Sequence, residues 1–190
     1  PDVAKDWTVS GNVDFTNGTY NGSAETLIMD GTKNLIGNGQ TIANLNINGS
    51  SNTITVTTSD VTIGTLLTVG SNNTLSIGSS RTVTLNATTG TTLTLNGTVS
   101  GSGTLLYKTS TTFPTSGTIS AYLKVDLTNA NCSIPARTFG GDLELYNNDA
   151  ISTRSATLGT GALQTITISG SLYLTAANGA GMTATGATNA

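Results

Sequence analysis

The chain contains no histidine, which removes the commonest general base and the commonest metal ligand together. Ser/His/Asp and Cys/His catalytic arrangements are thereby excluded. Its single cysteine, Cys132, allows no intrachain disulfide. With no obvious activator, Cys132 reads as a small buried side chain and not as a nucleophile. Only 9% of residues are charged and 5% aromatic, against about 25% charged in an average soluble protein. The basic residues (Lys5, Lys33, Arg81, Lys108, Lys124, Arg137, Arg154) stand singly. Nucleic acid needs a basic stripe to neutralise phosphates, so that partner is set aside, as is docking to anionic lipid. No apolar run approaches a membrane span, so insertion is not expected. Neither a calcium-binding repeat nor an EF-hand loop occurs, and the Gly159-Thr160-Gly161 stretch lacks a lysine and a following helix. No metal or cofactor is therefore expected.

Hydroxyls and amides take the place of charge. Threonine and serine make up about 30% of the 190 residues and asparagine about 10%. Disordered chains combine high net charge with few β-branched residues; here the net charge is −3 and threonine, valine and isoleucine dominate the periodic positions, where they suit a pleated surface. Between Asn34 and Gly103 apolar-x-apolar dyads recur: Leu45/Ile47, Ile54/Val56, Val61/Ile63, Leu75/Ile77, Val83/Leu85 and Leu93/Leu95. Asp60 and Arg81 are the only charges in that stretch, and it holds no aromatic ring. This is the pattern of short stacked strands with small polar corners.

Gly49–Val56 repeats as Gly70–Ile77, an offset of 21 residues, and Thr92-Leu93-Thr94-Leu95 reads as a third counterpart of Thr74–Ile77. A unit of roughly 20 residues is one rung of a parallel β-solenoid, and about nine rungs at about 4.8 Å each make a rod near 45 Å long. The fold expected is all-β, a parallel β-solenoid (β-helix) with irregular rungs. A β-sandwich is the alternative, because the Asn-Gly pairs at Asn17, Asn21, Asn38, Asn48, Asn96 and Asn178 are also hairpin signals. In a solenoid the same pairs serve corners that need the left-handed region. Residues 1–33, with Trp7, Phe15, Tyr20 and seven charges, read as an N-terminal cap or assembly strand region. Residues 34–117 form the core, and 118–190 continue the solenoid with longer rungs or form a second β domain. In that last part strands lengthen, as in Ile119–Leu127 and Leu163–Ser169, and Leu143–Tyr146 recurs 29 residues on at Leu172–Leu174. A chain opening on Pro1 and ending on the small residues Gly181 to Ala190 is expected to be a segment of a longer protein.

Three site readings compete. Asp142 and Glu144 point the same way in a strand, as a general acid/base pair of a polysaccharide lyase or hydrolase requires, with Asp149 nearby. The plainer reading is a solvated face whose neighbours Leu143 and Leu145 point inward. Tyr146 and Tyr173, with Asn and Thr around them, are candidates for gripping surface glycans. Stacked Thr-x-Thr pairs order water and bind ice when rung spacing is constant; otherwise threonine serves as a soluble outward β residue. Seven Asn-x-Ser/Thr sequons (Asn17, Asn21, Asn48, Asn72, Asn86, Asn96, Asn131) are about what chance gives.

The Gly49–Val56 and Gly70–Ile77 repeat, the dyads between them and the Leu143–Tyr146/Leu172–Leu174 pair resemble the threonine/asparagine-rich β-solenoid segments of large microbial surface proteins: adhesins, filamentous haemagglutinin-like stalks and envelope repeat proteins. The resemblance implies an extracellular or cell-surface structural or adhesive role, with no catalytic residue carried over. The function expected is a non-enzymatic extracellular structural protein, a self-assembling filament or surface-layer subunit or a stalk segment. A carbohydrate-binding adhesin module and a polysaccharide lyase or hydrolase are the alternatives. Open solenoid edges favour head-to-tail self-association, with Trp7 and Phe15 closing the boundary.

Overall fold

Every dyad named above points inward, and none of its members is more than 6% exposed. The computed structural model describes residues 5–20, 22–86, 92–108, 113–149, 151–160, 165–177 and 181–186. Asn21, Thr111, Thr112, Gly161, Leu163, Asn178 and Gly179, and the tail beyond Gly186, lie outside the described residues. Alternation of inward aliphatic and outward hydroxyl side chains builds each strand, and glycine, asparagine and serine corners end it.

Twenty-one strands follow in chain order among the described residues. The first seven are β1 (Trp7–Val9), β2 (Val13–Asp14), β3 (Thr26–Asp30), β4 (Lys33–Ile36), β5 (Thr41–Asn48), β6 (Thr53–Val56) and β7 (Val61–Val69). Next come β8 (Thr74–Ile77), β9 (Thr82–Asn86), β10 (Thr92–Leu95), β11 (Thr98–Gly101), β12 (Thr104–Lys108), β13 (Thr118–Ile119) and β14 (Tyr122–Asp126). The last are β15 (Cys132–Pro135), β16 (Thr138–Phe139), β17 (Leu143–Asn147), β18 (Arg154–Thr160), β19 (Thr167–Ile168), β20 (Leu172–Ala176) and β21 (Met182–Gly186). No helix occurs among them, and the strands stack in parallel as a β-solenoid. Parallel pairing throughout removes the sandwich alternative, whose hairpins would pair antiparallel.

The solenoid has three sides. The first is one eight-stranded sheet, β2-β4-β6-β8-β11-β13-β16-β19. The second stacks the start of β5 and of β7 with β9, β12, β14, β17 and β20. The third stacks β1, β3, the ends of β5 and β7, and β10, and further along β15, β18 and β21. Chain order takes each turn from first side to second to third. Eight strands on the first side are fewer levels than the nine or so expected.

The 21-residue repeat is a true register, Thr53 on Thr74 and Ile54 on Leu75. Thr92–Leu95 is not its third copy. That segment stacks on Leu66–Val69 of the third side, and the counterpart of Thr74 is Thr98. All three share the Thr-x-apolar pattern, which does not encode the side. Ile119–Leu127 is likewise two strands, β13 and β14, with a corner at Ser120 and the buried Ala121 between them.

Steps between levels vary from 18 residues (Leu27 to Leu45) to 29 (Leu143 to Leu172). The variation sits in the corners, while the sheets hold register. Left-handed backbone recurs there at Asn38, Ser51, Thr58, Asn72 and Ser80, so serine and threonine share a task expected mainly of asparagine and glycine. Pairing runs unbroken from β11 to β13 and from β12 to β14. Strands β13, β14, β16, β17, β19 and β20 thus extend the same ladders, β15, β18 and β21 form a sheet of their own, and β1, β2 and β3 already lie within the first ladders.

Candidate functional site

On the second side, alternation sends Leu123, Val125, Leu143 and Leu145 into the core and turns the intervening residues outward. Register places Lys124, Glu144 and Tyr173 in one column, and Asp126, Tyr146 and Thr175 in the next. Tyr146 and Tyr173, the expected glycan grip, therefore lie on adjacent strands but in neighbouring columns.

Glu144 is the centre of this cluster and is only 6% exposed, so the expectation of a solvated carboxylate is corrected. Tall neighbours above and below cover it. The Lys124 ammonium stands 3.2 Å from Oε2 and donates to Oε1 at 3.3 Å, while the Tyr122 hydroxyl donates to Oε2. Burial alone would push the Glu144 carboxyl up; donation from Tyr122, Thr175 and Lys124 outweighs it and holds the group below the usual glutamate value. Burial, and then the bond to Glu144, push the Tyr122 phenol up. Lys124 also sits 3.8 Å from the centre of the Tyr146 ring, and Tyr122 meets Tyr173 edge to face at 6.4 Å.

Asp142 accepts the backbone N–H of Ser171 at 2.7 Å. Asp149 accepts the Ile151 N–H and pairs with Arg154 at 2.7 Å; the Ile151 N–H, then Ser152 and Arg154, hold its carboxyl low. Each of the three carboxylates grouped by the sequence is thus tied to a neighbouring level or corner. A general acid needs a raised pKa, whereas Glu144 is shifted the other way. Chemically the cluster is a clasp across β14, β17 and β20.

The comparisons with known proteins leave the chain by itself. No protein-family model, curated protein or solved structure matches it. Among the described residues no group of three or more His, Cys, Asp or Glu side chains could hold a metal ion, and no helix is long and apolar enough to cross a membrane.

The first and last described levels are the second candidate. At the first level Trp7 and Phe15, expected to form an assembly boundary, both pack on Tyr20, each with ring centres 5.7 Å apart. Tyr20 is 6% exposed and Trp7 51%, so one ring plugs the core and another lies over it half in solvent. At the last level Leu172 and Leu174 are register partners of the fully buried Leu143 and Leu145, yet they are 45% and 55% exposed. Among the described residues, four of the five exposed large hydrophobics (Trp7, Leu172, Tyr173, Leu174) belong to these two levels, with Ile151 the exception. Such clustering marks an interaction surface where scattered exposure would not.

On the first side Thr53, Thr74, Thr98 and Thr118 form a single outward column, and Thr138 pairs with Thr167 further along. The threonine stacking is regular despite uneven rung length.

Three polar anchors were not singled out by the sequence. Asn73 is 2% exposed; it donates to the carbonyls of Gly49 (3.2 Å) and Ser71 (2.9 Å) and accepts the Asn52 N–H at 2.9 Å. The signal was available, since Asn52 and Asn73 are equivalent in the 21-residue repeat. Arg137 donates to the carbonyls of Pro114, Ser116 and Gly117 while lying over the Phe113 and Phe139 rings; burial lowers its pKa. Asn147, fully buried, ties the Ser152 and Gly181 carbonyls.

Proposed function

We propose that this chain is a non-enzymatic extracellular structural protein, a self-assembling filament or surface-layer subunit or a stalk segment of a larger surface protein. One observation carries the reading: core positions at the last described level, Leu172 and Leu174, stand open to solvent while their partners one level below are sealed. A further solenoid level, from another copy or from more chain, would bury them and pair the open strand edges. Heterologous contacts of that kind propagate as open filaments. The extracellular setting rests on the threonine, asparagine, glycine and serine bias and on the resemblance to surface-protein solenoids. Negative-stain imaging of the purified chain tests assembly. Rods are expected, and deletion of residues 1–16 should abolish them while a β-rich monomer remains. Rods unchanged by that deletion would sink this reading.

A second reading, a carbohydrate-binding adhesin module, is supported by one feature: Tyr173 is 46% exposed beside Tyr122, an aromatic side chain partly open to solvent. Glycan-array signal from strictly monomeric protein, lost on Tyr173→Ala or Tyr146→Ala, would favour it.

A further inference from the structure

Asparagine followed by glycine is the pairing in which a backbone nitrogen reaches the preceding side-chain amide most easily, since glycine puts no Cβ in its way. Six such pairs occur, of which Asn21 and Asn178 lie outside the described residues. In three of the others the glycine N–H is engaged. Gly18 donates to the Phe15 carbonyl at 3.2 Å, Gly39 to Asp60 at 3.1 Å and Gly97 to Val69 at 3.0 Å. Asn38 is tied again through its side chain, which donates to the carbonyls of Phe15 and Thr16. Gly49 is the exception: among the described residues its N–H meets no acceptor, and both Asn48 and Gly49 are exposed.

The neighbours of this peptide act on that N–H. Asn52 Nδ2 donates to the Asn48 backbone carbonyl at 2.7 Å. A carbonyl that accepts a hydrogen bond draws electrons from its amide nitrogen, so the Gly49 N–H becomes more acidic. Asp30 is the register partner of Asn48 on the adjacent level. A Cβ at Gly49 would run into both the Asn52 amide and the Asp30 carboxylate, so a proton acceptor stands against the same peptide.

We propose that Asn48 is a self-modifying site, at which the fold promotes loss of the side-chain amide. The Gly49 nitrogen bonds to Asn48 Cγ while its proton passes to Asp30. The Cγ–Nδ2 bond then breaks, and Nδ2 leaves as ammonia after taking that proton. The five-membered imide so formed is opened by water at either carbonyl. Residue 48 becomes an aspartate, linked onward through its main-chain carboxyl or through its side chain. Nothing is oxidised or reduced, and water is the only co-reactant. The product adds one negative charge to a chain whose net charge is −3. It sets that carboxylate on the level next to Asp30, where like charges repel, and the side-chain link lengthens the backbone between β5 and β6. Conversion thus loosens the β3–β5 stack with age.

Ageing the unmodified chain at neutral pH and mapping its peptides by mass spectrometry tests this. Asn48 should convert several-fold faster than Asn17, Asn38 or Asn96, with the side-chain-linked aspartate among its products. In denaturant, where the fold no longer distinguishes the pairs, all four should convert at similar rates. Asp30→Asn and Asn52→Ala should each slow Asn48 and leave the Asn17 rate unchanged, whereas mere loosening of the corner would quicken Asn48. Asn48 converting no faster than the other three in the folded chain, or keeping its lead in denaturant, would overturn the proposal. An undiminished Asn48 rate in either variant would do the same.

Discussion

Leu143 and Leu172 are register partners on adjacent levels of the second side, and only the first is covered: Leu143 is fully buried, Leu172 is 45% exposed. The same side chain thus does two jobs at two heights. Truncating Leu143 leaves a cavity in a closed stack, for which the usual cost is about 2–5 kcal/mol. Truncating Leu172 removes a side chain already half in water.

The expectation for the monomer is that Leu143→Ala lowers stability by several kcal/mol and Leu172→Ala by about 1 kcal/mol or less. Leu172→Ala should instead raise the concentration at which rods appear. Denaturant titration and sedimentation read the two effects separately. Equal losses of monomer stability would mean that the last level is covered in solution.

The inward dyads were legible because apolar-x-apolar alternation admits one orientation when only one face can be buried. Parallel stacking was legible from the 21-residue repeat, since register and sequence offset coincide where a corner keeps its length. Which side a dyad occupies was not legible. Thr92–Leu95 and Thr98–Gly101 both follow the same local pattern, and corner geometry decides between them. The clasp at Glu144 was half visible. Alternation placed the carboxylate outward, but its burial depends on Lys124 and Tyr122, 20 and 22 residues earlier, and no local pattern announces that. Exposure of Leu172 depends on what lies on the next level, which the dyad itself does not carry.

Asn73 joins three backbone groups at one corner through both ends of its amide. Asn73→Ala leaves the Gly49 and Ser71 carbonyls and the Asn52 N–H without this partner, an expected loss of about 1–3 kcal/mol. Asn73→Asp keeps the acceptor but turns a carboxylate toward two carbonyls, and should cost at least as much at neutral pH. Denaturation midpoints rank them, and an Asp variant as stable as the parent would refute the assigned donations.

Two glycines with positive φ separate backbone strain from close packing. Gly39 (φ 69°) has no atom within 4 Å of where a Cβ would sit, whereas at Gly101 (φ 103°) a Cβ would run into the Ile77 backbone. Gly39→Ala should therefore cost only the left-handed penalty, about 1–2 kcal/mol. Gly101→Ala must also push two levels apart, and a loss above about 3 kcal/mol is expected. Comparable melting curves for the two variants would contradict the tight approach of β8 and β11.

Glu144 makes acid sensitivity predictable. Although burial opposes the charge, donation from Tyr122, Thr175 and Lys124 holds its folded carboxyl below the ordinary 4.5. A depressed folded value means that the ionised form is favoured by folding, so its contribution is fully present above about pH 4.5 and is lost as pH falls through the lower folded value. Glu144→Gln removes that titration and leaves the other carboxylates to act alike in both proteins. The melting-temperature gap between parent and variant should be widest and flat at neutral pH, and should narrow on acidification below about 4.5. A gap that instead widened toward acid pH would show that the carboxyl is protonated in the fold, and the Lys124–Glu144–Tyr122 clasp would have to be redrawn.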